Sequence, residues 1–141
     1  MDDVQVRHEP PIRYESRSKQ LRADEIDAYV KHAINELRAE FEPAGRPFTM
    51  YHGCTKEDEQ IVQVCLPTAT GHDLTDSTDV AFTVARGREC AYPQILEAYD
   101  AVVEYAQSIG RTLFGVPRET YLNGPDDPNP VMEVAFPLAR D

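Results

Sequence analysis

Apolar positions along the chain recur at two distinct periods. From Asp24 to Phe41 they fall at Ile26, Tyr29, Val30, Ala33, Ile34, Leu37 and Phe41, a spacing that predicts an amphipathic helix. Asp24 and Glu25 open that stretch, where carboxylates suit the positive end of the helix dipole. A second helix is predicted from Gln94 to Ile109, with Ile95, Ala98, Tyr99, Val102, Val103 and Ala106 on one face and Gly110 placed as its C-terminal cap. Strand-length apolar runs lie at Val4–His8, Gln60–Leu66, Val80–Ala85 and Val131–Phe136. Each helix is followed by a Gly-x-Pro turn, a short strand, a polar turn and a second strand. Gly53–Asp58 and Asn123–Pro130 supply the turn residues.

The two patterns are copies of one another. Gly45-Arg-Pro47-Phe-Thr-Met-Tyr51 aligns with Gly115-Val-Pro117-Arg-Glu-Thr-Tyr121 at an offset of 70 residues. The same offset sets Ile61-Val-Gln-Val-Cys-Leu-Pro67 on Val131-Met-Glu-Val-Ala-Phe-Pro137, and Ala28-Tyr29 on Ala98-Tyr99. Three ungapped blocks at one offset indicate a duplication. The expected fold is α+β: a duplicated β-α-β-β unit forming an antiparallel sheet, with both helices packed on one face. One domain is expected over residues 1–141, with repeat one at about 3–67, a linker at about 68–78 and repeat two at about 79–138.

Charge narrows the function classes. The net charge is −11, with 14 basic residues scattered among 25 acidic ones, which argues against direct binding of nucleic acid. No apolar run approaches the roughly 20 residues of a membrane span. The N-terminus has neither the basic start nor the apolar stretch of a signal peptide, so a cytoplasmic location is expected. The 3 cysteines, Cys54, Cys65 and Cys90, lack metal or disulfide spacing, and Cys65 sits in an apolar strand-like run where a buried reduced thiol is the plain reading. His8, His32, His52 and His72 never fall at metal-ligand spacing. Neither a metal nor a cofactor is implied.

Strand alternation sharpens the remaining chemistry. Glu119 and Tyr121 share one face of their strand, and Arg118, Thr120 and Leu122 share the other. The matching residues of the first copy are Thr49 and Tyr51, so the acid is present in one copy only. A carboxylate among aromatic rings suits a cationic or hydroxyl-rich aromatic ligand, held in the expected central cleft between the copies. The alternative is a solvated strand carboxylate, with Tyr51 and Tyr121 as ordinary packing residues. Glu133 and its counterpart Gln63 are expected on an exposed face.

These residues resemble a known family, the GyrI-like small-molecule-binding domains, related to the effector-binding domains of AraC- and MerR-type transcription activators. The resemblance is carried by the Val4-x-Val…Pro10-Pro11 opening, Tyr51-His-Gly53, Tyr92…Glu97-Ala-Tyr99, Gly115-x-Pro-Arg-Glu-x-Tyr-Leu122, Asp126-Asp-Pro128 and Glu133-Val…Pro137. It implies the duplicated β-α-β-β fold and a pocket formed by Glu119, Tyr121, Tyr51 and Tyr92, with Phe48 and Phe136 beside them. Two departures stand out. Family members often carry a His-x-Gly-Pro-Tyr segment before the second helix, where this chain has Arg88-Glu-Cys-Ala-Tyr92. Many have a Trp where Tyr105 stands, and this chain has no Trp.

Three functions follow. The first is a small-molecule-binding protein, a drug or toxin sequestrant. The second is a hydrolase of strained, cyclopropane-type electrophiles, with Glu119 as general base and Tyr51 or Tyr121 as hydrogen-bond donor. The third is a ligand-responsive regulatory module or gyrase-protecting protein with a protein partner, as a monomer or homodimer. Composition and spacing leave these open.

Overall fold

The computed structural model describes residues 1–124 and 126–140; Pro125, inside the turn expected at Asn123–Pro130, and Asp141 lie outside the described residues. The fold is α+β. In chain order the elements are β1 (Gln5–Glu9), β2 (Arg13–Arg22), α1 (Ala23–Glu40), β3 (Phe48–Tyr51), β4 (Glu59–Pro67), β5 (Asp73–Leu74), β6 (Thr78–Arg86), a 3-10 turn (Gly87–Cys90), α2 (Ile95–Ser108), β7 (Arg118–Tyr121) and β8 (Val131–Pro137). No described helix is long and apolar enough to cross a membrane.

The chain divides into two compact units. One is Ile12–Thr75; the other is Met1–Pro11 together with Asp76–Asp141. In the first, antiparallel strands run in the order β3-β4-β2-β5. In the second they run β1-β6-β8-β7. The segment Val4–His8, expected to open the first copy, is instead β1, paired with β6 of the second copy (His8 opposite Asp79). The strand that opens the first copy is β2. The stretch expected to be a linker contains β5, which pairs with the start of β2.

Hairpin register reproduces the sequence offset. Tyr51 lies opposite Val62 and Tyr121 opposite Met132, so both partners are seventy residues apart. The opening strands differ. Tyr14 faces Pro67 and Val80 faces Pro137, so β2 and β6 are related by an offset of sixty-six. The four additional residues of the second copy lie between β6 and α2, where the 3-10 turn and a cis Tyr92–Pro93 peptide are found. Both copies leave the opening strand in the same way. The backbone N–H of Arg22 donates to Glu25 (3.0 Å), and that of Arg86 donates to Glu89 (2.9 Å). A glutamate three residues on thus satisfies an amide that the starting turn leaves free.

Each helix buries the stripe its spacing predicts. Val30, Ala33, Ile34 and Leu37 of α1 are buried, and that helix packs on β2 and β4. Ile95, Ala98, Val102 and Ala106 of α2 are buried against β6 and β8, whose contributions include Ala81, Ala85, Met132 and Val134. Gly110 ends α2 at φ +71°, a left-handed conformation that glycine adopts without a Cβ penalty.

Candidate functional site

Glu119 stands in the middle of β7, opposite Val134 of β8. Directly opposed residues share a sheet face, and Val134 belongs to the buried cluster beneath α2. The Glu119 carboxylate therefore projects toward the helix rather than into solvent, and the residue is only 8% exposed. There the Tyr99 hydroxyl, from α2, donates a 2.5 Å hydrogen bond to Oε2 of Glu119. Tyr121 shares that face through its pairing with Met132. Both tyrosines and Phe136 pack on the Ala85, Ile95, Ala98, Met132 and Val134 cluster. The Tyr99 and Phe136 rings meet edge to face, centroids 5.7 Å apart at 88°.

The electrostatics follow from a carboxylate placed among rings. Burial, and then the charge of Glu119, hold the Tyr99 phenol far above its ordinary range. Cys90, whose Sγ lies 3.3 Å from the Ala85 carbonyl, also has its thiol pushed up, by burial first and the Glu119 charge second. Glu119 is thus the negative pole of an apolar region made by α2, β7 and β8.

The other expected residues take the following positions. Tyr92 is 73% exposed in the segment before α2. In the Ile12–Thr75 unit, Phe48 is buried against Tyr14 and Cys65, its ring edge to face with that of Tyr14 at 5.7 Å. Tyr51 ends β3 and is half-buried. Thr49, at the position matching Glu119, is fully buried. Tyr29 matches Tyr99, and its ring lies 6.0 Å from the Lys19 ammonium. The carboxylate–tyrosine pair is therefore a property of one copy. Tyr99 itself was legible only as a core position of the helix stripe; the signal that singles it out is its place in the Ala28-Tyr29/Ala98-Tyr99 repeat block.

The opposite face of the same strands corrects another expectation. Glu133 is buried, not exposed. Arg7 clasps it with two hydrogen bonds, at 2.8 and 2.5 Å. Arg7 also reaches Glu9 at 3.0 Å, and Glu9 meets the buried Arg118 at 2.5 Å. Arg118 thus turns to β1 and away from its neighbour Glu119. Two guanidiniums and two carboxylates alternate across β1, β7 and β8, with Arg7 also 4.3 Å above the Phe82 ring. Among the described residues no group of three or more His, Cys, Asp or Glu side chains could hold a metal ion.

No protein-family model matches this chain, and no curated protein does. Solved structures do match. The EcmrR C-terminal domain aligns at a TM-score of 0.76 with 19% identity, covering 99% of this chain and 98% of that one. The chain has the GyrI-like fold. SAV2435, solved bound to tetraphenylphosphonium, matches at a TM-score of 0.69 and 11% identity, over 98% of this chain and 94% of that chain. An integron cassette protein from the mobile metagenome of Vibrio cholerae matches at 0.58 and 11%, over 97% and 96%. At such identities the likeness is one of GyrI-like fold.

Proposed function

We infer that this GyrI-like protein binds a lipophilic, cationic aromatic small molecule, with the Glu119 carboxylate as its charge partner. The observation that carries the reading is the burial of Glu119 among Tyr99, Tyr121 and Phe136. A carboxylate in such surroundings gains more from a bound cation than an exposed one does, because neither water nor salt screens the pair well. The rings add cation–π and stacking contacts of about 0.5–2 kcal/mol each. A neighbour of the same fold, SAV2435, was solved with tetraphenylphosphonium, a cation clad in aromatic rings. That ligand class meets the demands of this site. The Tyr99 hydroxyl donates to Oε2, so a cation reaches the acid by sharing it with the phenol or displacing it. Three free cysteines accord with a place in the cytoplasm.

The test is a thermal-shift series pairing aromatic cations with neutral compounds of the same shape. Stabilisation by the cations alone, lost in Glu119→Gln, supports the reading. Equal stabilisation by neutral compounds, or by cations in the variant, contradicts it.

A further inference from the structure

A second constellation lies at the other end of the same unit, where β1 meets the start of β6. His8 and Asp79 are directly opposed across these strands, and their side chains meet, His8 Nδ1 to Asp79 Oδ1, at 3.0 Å. Ser77, two residues before Asp79 and so on the same side of the extended chain, sets its Oγ 2.9 Å from His8 Nε2. The order is acid, imidazole, hydroxyl, with each ring nitrogen used once. Arg111 Nη2 reaches the second Asp79 oxygen at 3.4 Å and the Ala139 carbonyl at 3.2 Å, which fixes the acid. All three groups line an open groove of about 320 Å³, together with Arg111 and Arg140.

We propose that Ser77, His8 and Asp79 form a nucleophilic relay that accepts the acyl group of small activated esters in this groove. Such relays are recognised by geometry and role, not by chain order or fold. The hydrogen bond with His8, first, and that with Arg111 hold the Asp79 carboxyl below its usual range, so it serves as an acceptor. In the tautomer that donates from Nδ1 to Asp79, the lone pair of Nε2 faces the Ser77 hydroxyl. Ser77 Oγ attacks the ester carbonyl carbon while Nε2 takes its proton. The guanidinium groups lining the groove meet the oxyanion that forms. Collapse breaks the carbonyl–oxygen bond of the ester, and the leaving alkoxide takes the proton from His8. Water, deprotonated by the same nitrogen, then releases the acid and restores the serine.

The relay is tested with p-nitrophenyl acetate, by release of nitrophenolate and by mass spectrometry of the acetylated protein. The expected result is acetyl on Ser77 and a rate that falls about a hundredfold in Ser77→Ala and in His8→Gln. Wild-type protein is treated in parallel with an alkyl fluorophosphonate, from which Ser77 Oγ displaces fluoride; this arm needs no variant to fold. Acetylation confined to other side chains, turnover that persists in Ser77→Ala, or a wild type in which Ser77 takes neither label overturns the proposal.

Discussion

The Tyr99 hydroxyl, carried by α2, donates across 2.5 Å to the Glu119 carboxylate of β7. The bond ties a helix to a strand at a buried charge, so removing the donor leaves that charge less satisfied. Tyr99→Phe is expected to destabilise the fold by about 1–3 kcal/mol, the range for a hydrogen bond to a charged buried group. Urea unfolding of both proteins measures it. An unchanged midpoint would mean that the bond contributes nothing.

The same pair sets an alkaline limit. The Tyr99 phenol titrates above its unfolded value of 10.0. A group raised in the folded state stabilises fully below its unfolded pKa and loses that contribution as pH climbs past it. Stability is therefore expected to decline from about pH 10 upward. Tyr14 and Tyr29 are raised as well, by burial first. The difference between wild type and Tyr99→Phe isolates the share of Tyr99. Ultraviolet titration of tyrosinate, folded against urea-unfolded, should show a lag that shrinks in the variant.

Glu9 and Arg118 are a mostly buried ion pair, with side chains 12% and 7% exposed. Glu9→Gln strips the guanidinium of a charge partner, and breaking one side of such a pair costs about 3–5 kcal/mol. The loss is expected at the lower end, because the amide retains an acceptor. Thermal unfolding checks it. A double change, Glu9→Leu with Arg118→Met, is expected to recover much of the stability by removing both desolvated charges.

Gly71 is pressed against the backbone of Tyr14; a Cβ there would sit 2.5 Å from the Tyr14 carbonyl oxygen. Gly71→Ala must push β2 and the following chain apart, at a cost of several kcal/mol. A change in unfolding midpoint comparable to that of an exposed alanine substitution would show that the close approach is dispensable.

Much of this was written in the chain at the level of periodicity. Both helices begin and end within a residue of the expected bounds, because their apolar stripes and terminal signals agree. The seventy-residue offset is physically real in the β3–β4 and β7–β8 hairpins. The opening strand of the first copy was not legible. Arg13–Arg22 is rich in charge and hydroxyls, and only Tyr14 and Leu21 are buried, so its pattern does not alternate. Its offset of sixty-six also hides it from a search at seventy. Val4–His8, with its apolar alternation, drew attention instead, although its partner strand is β6.

The acid was legible and its partner was not. Strand alternation placed Glu119 and Tyr121 on one face, as the register bears out. Alternation says nothing about which helix residue arrives above them, so Tyr99 read as core. Glu133 failed for the complementary reason: its burial depends on Arg7, 126 positions away. No local pattern reports that pairing.

The account turns on whether Glu119 is a cation partner. Isothermal titration of tetraphenylphosphonium into wild type and Glu119→Gln, with thermal unfolding to verify that both are folded, tests this most directly. Saturable binding to wild type that weakens at least about tenfold in the variant, or about 1.4 kcal/mol, is the expected result. Equal affinity in both proteins, or no binding to wild type by this cation and by the aromatic cations of the thermal-shift series, would contradict it.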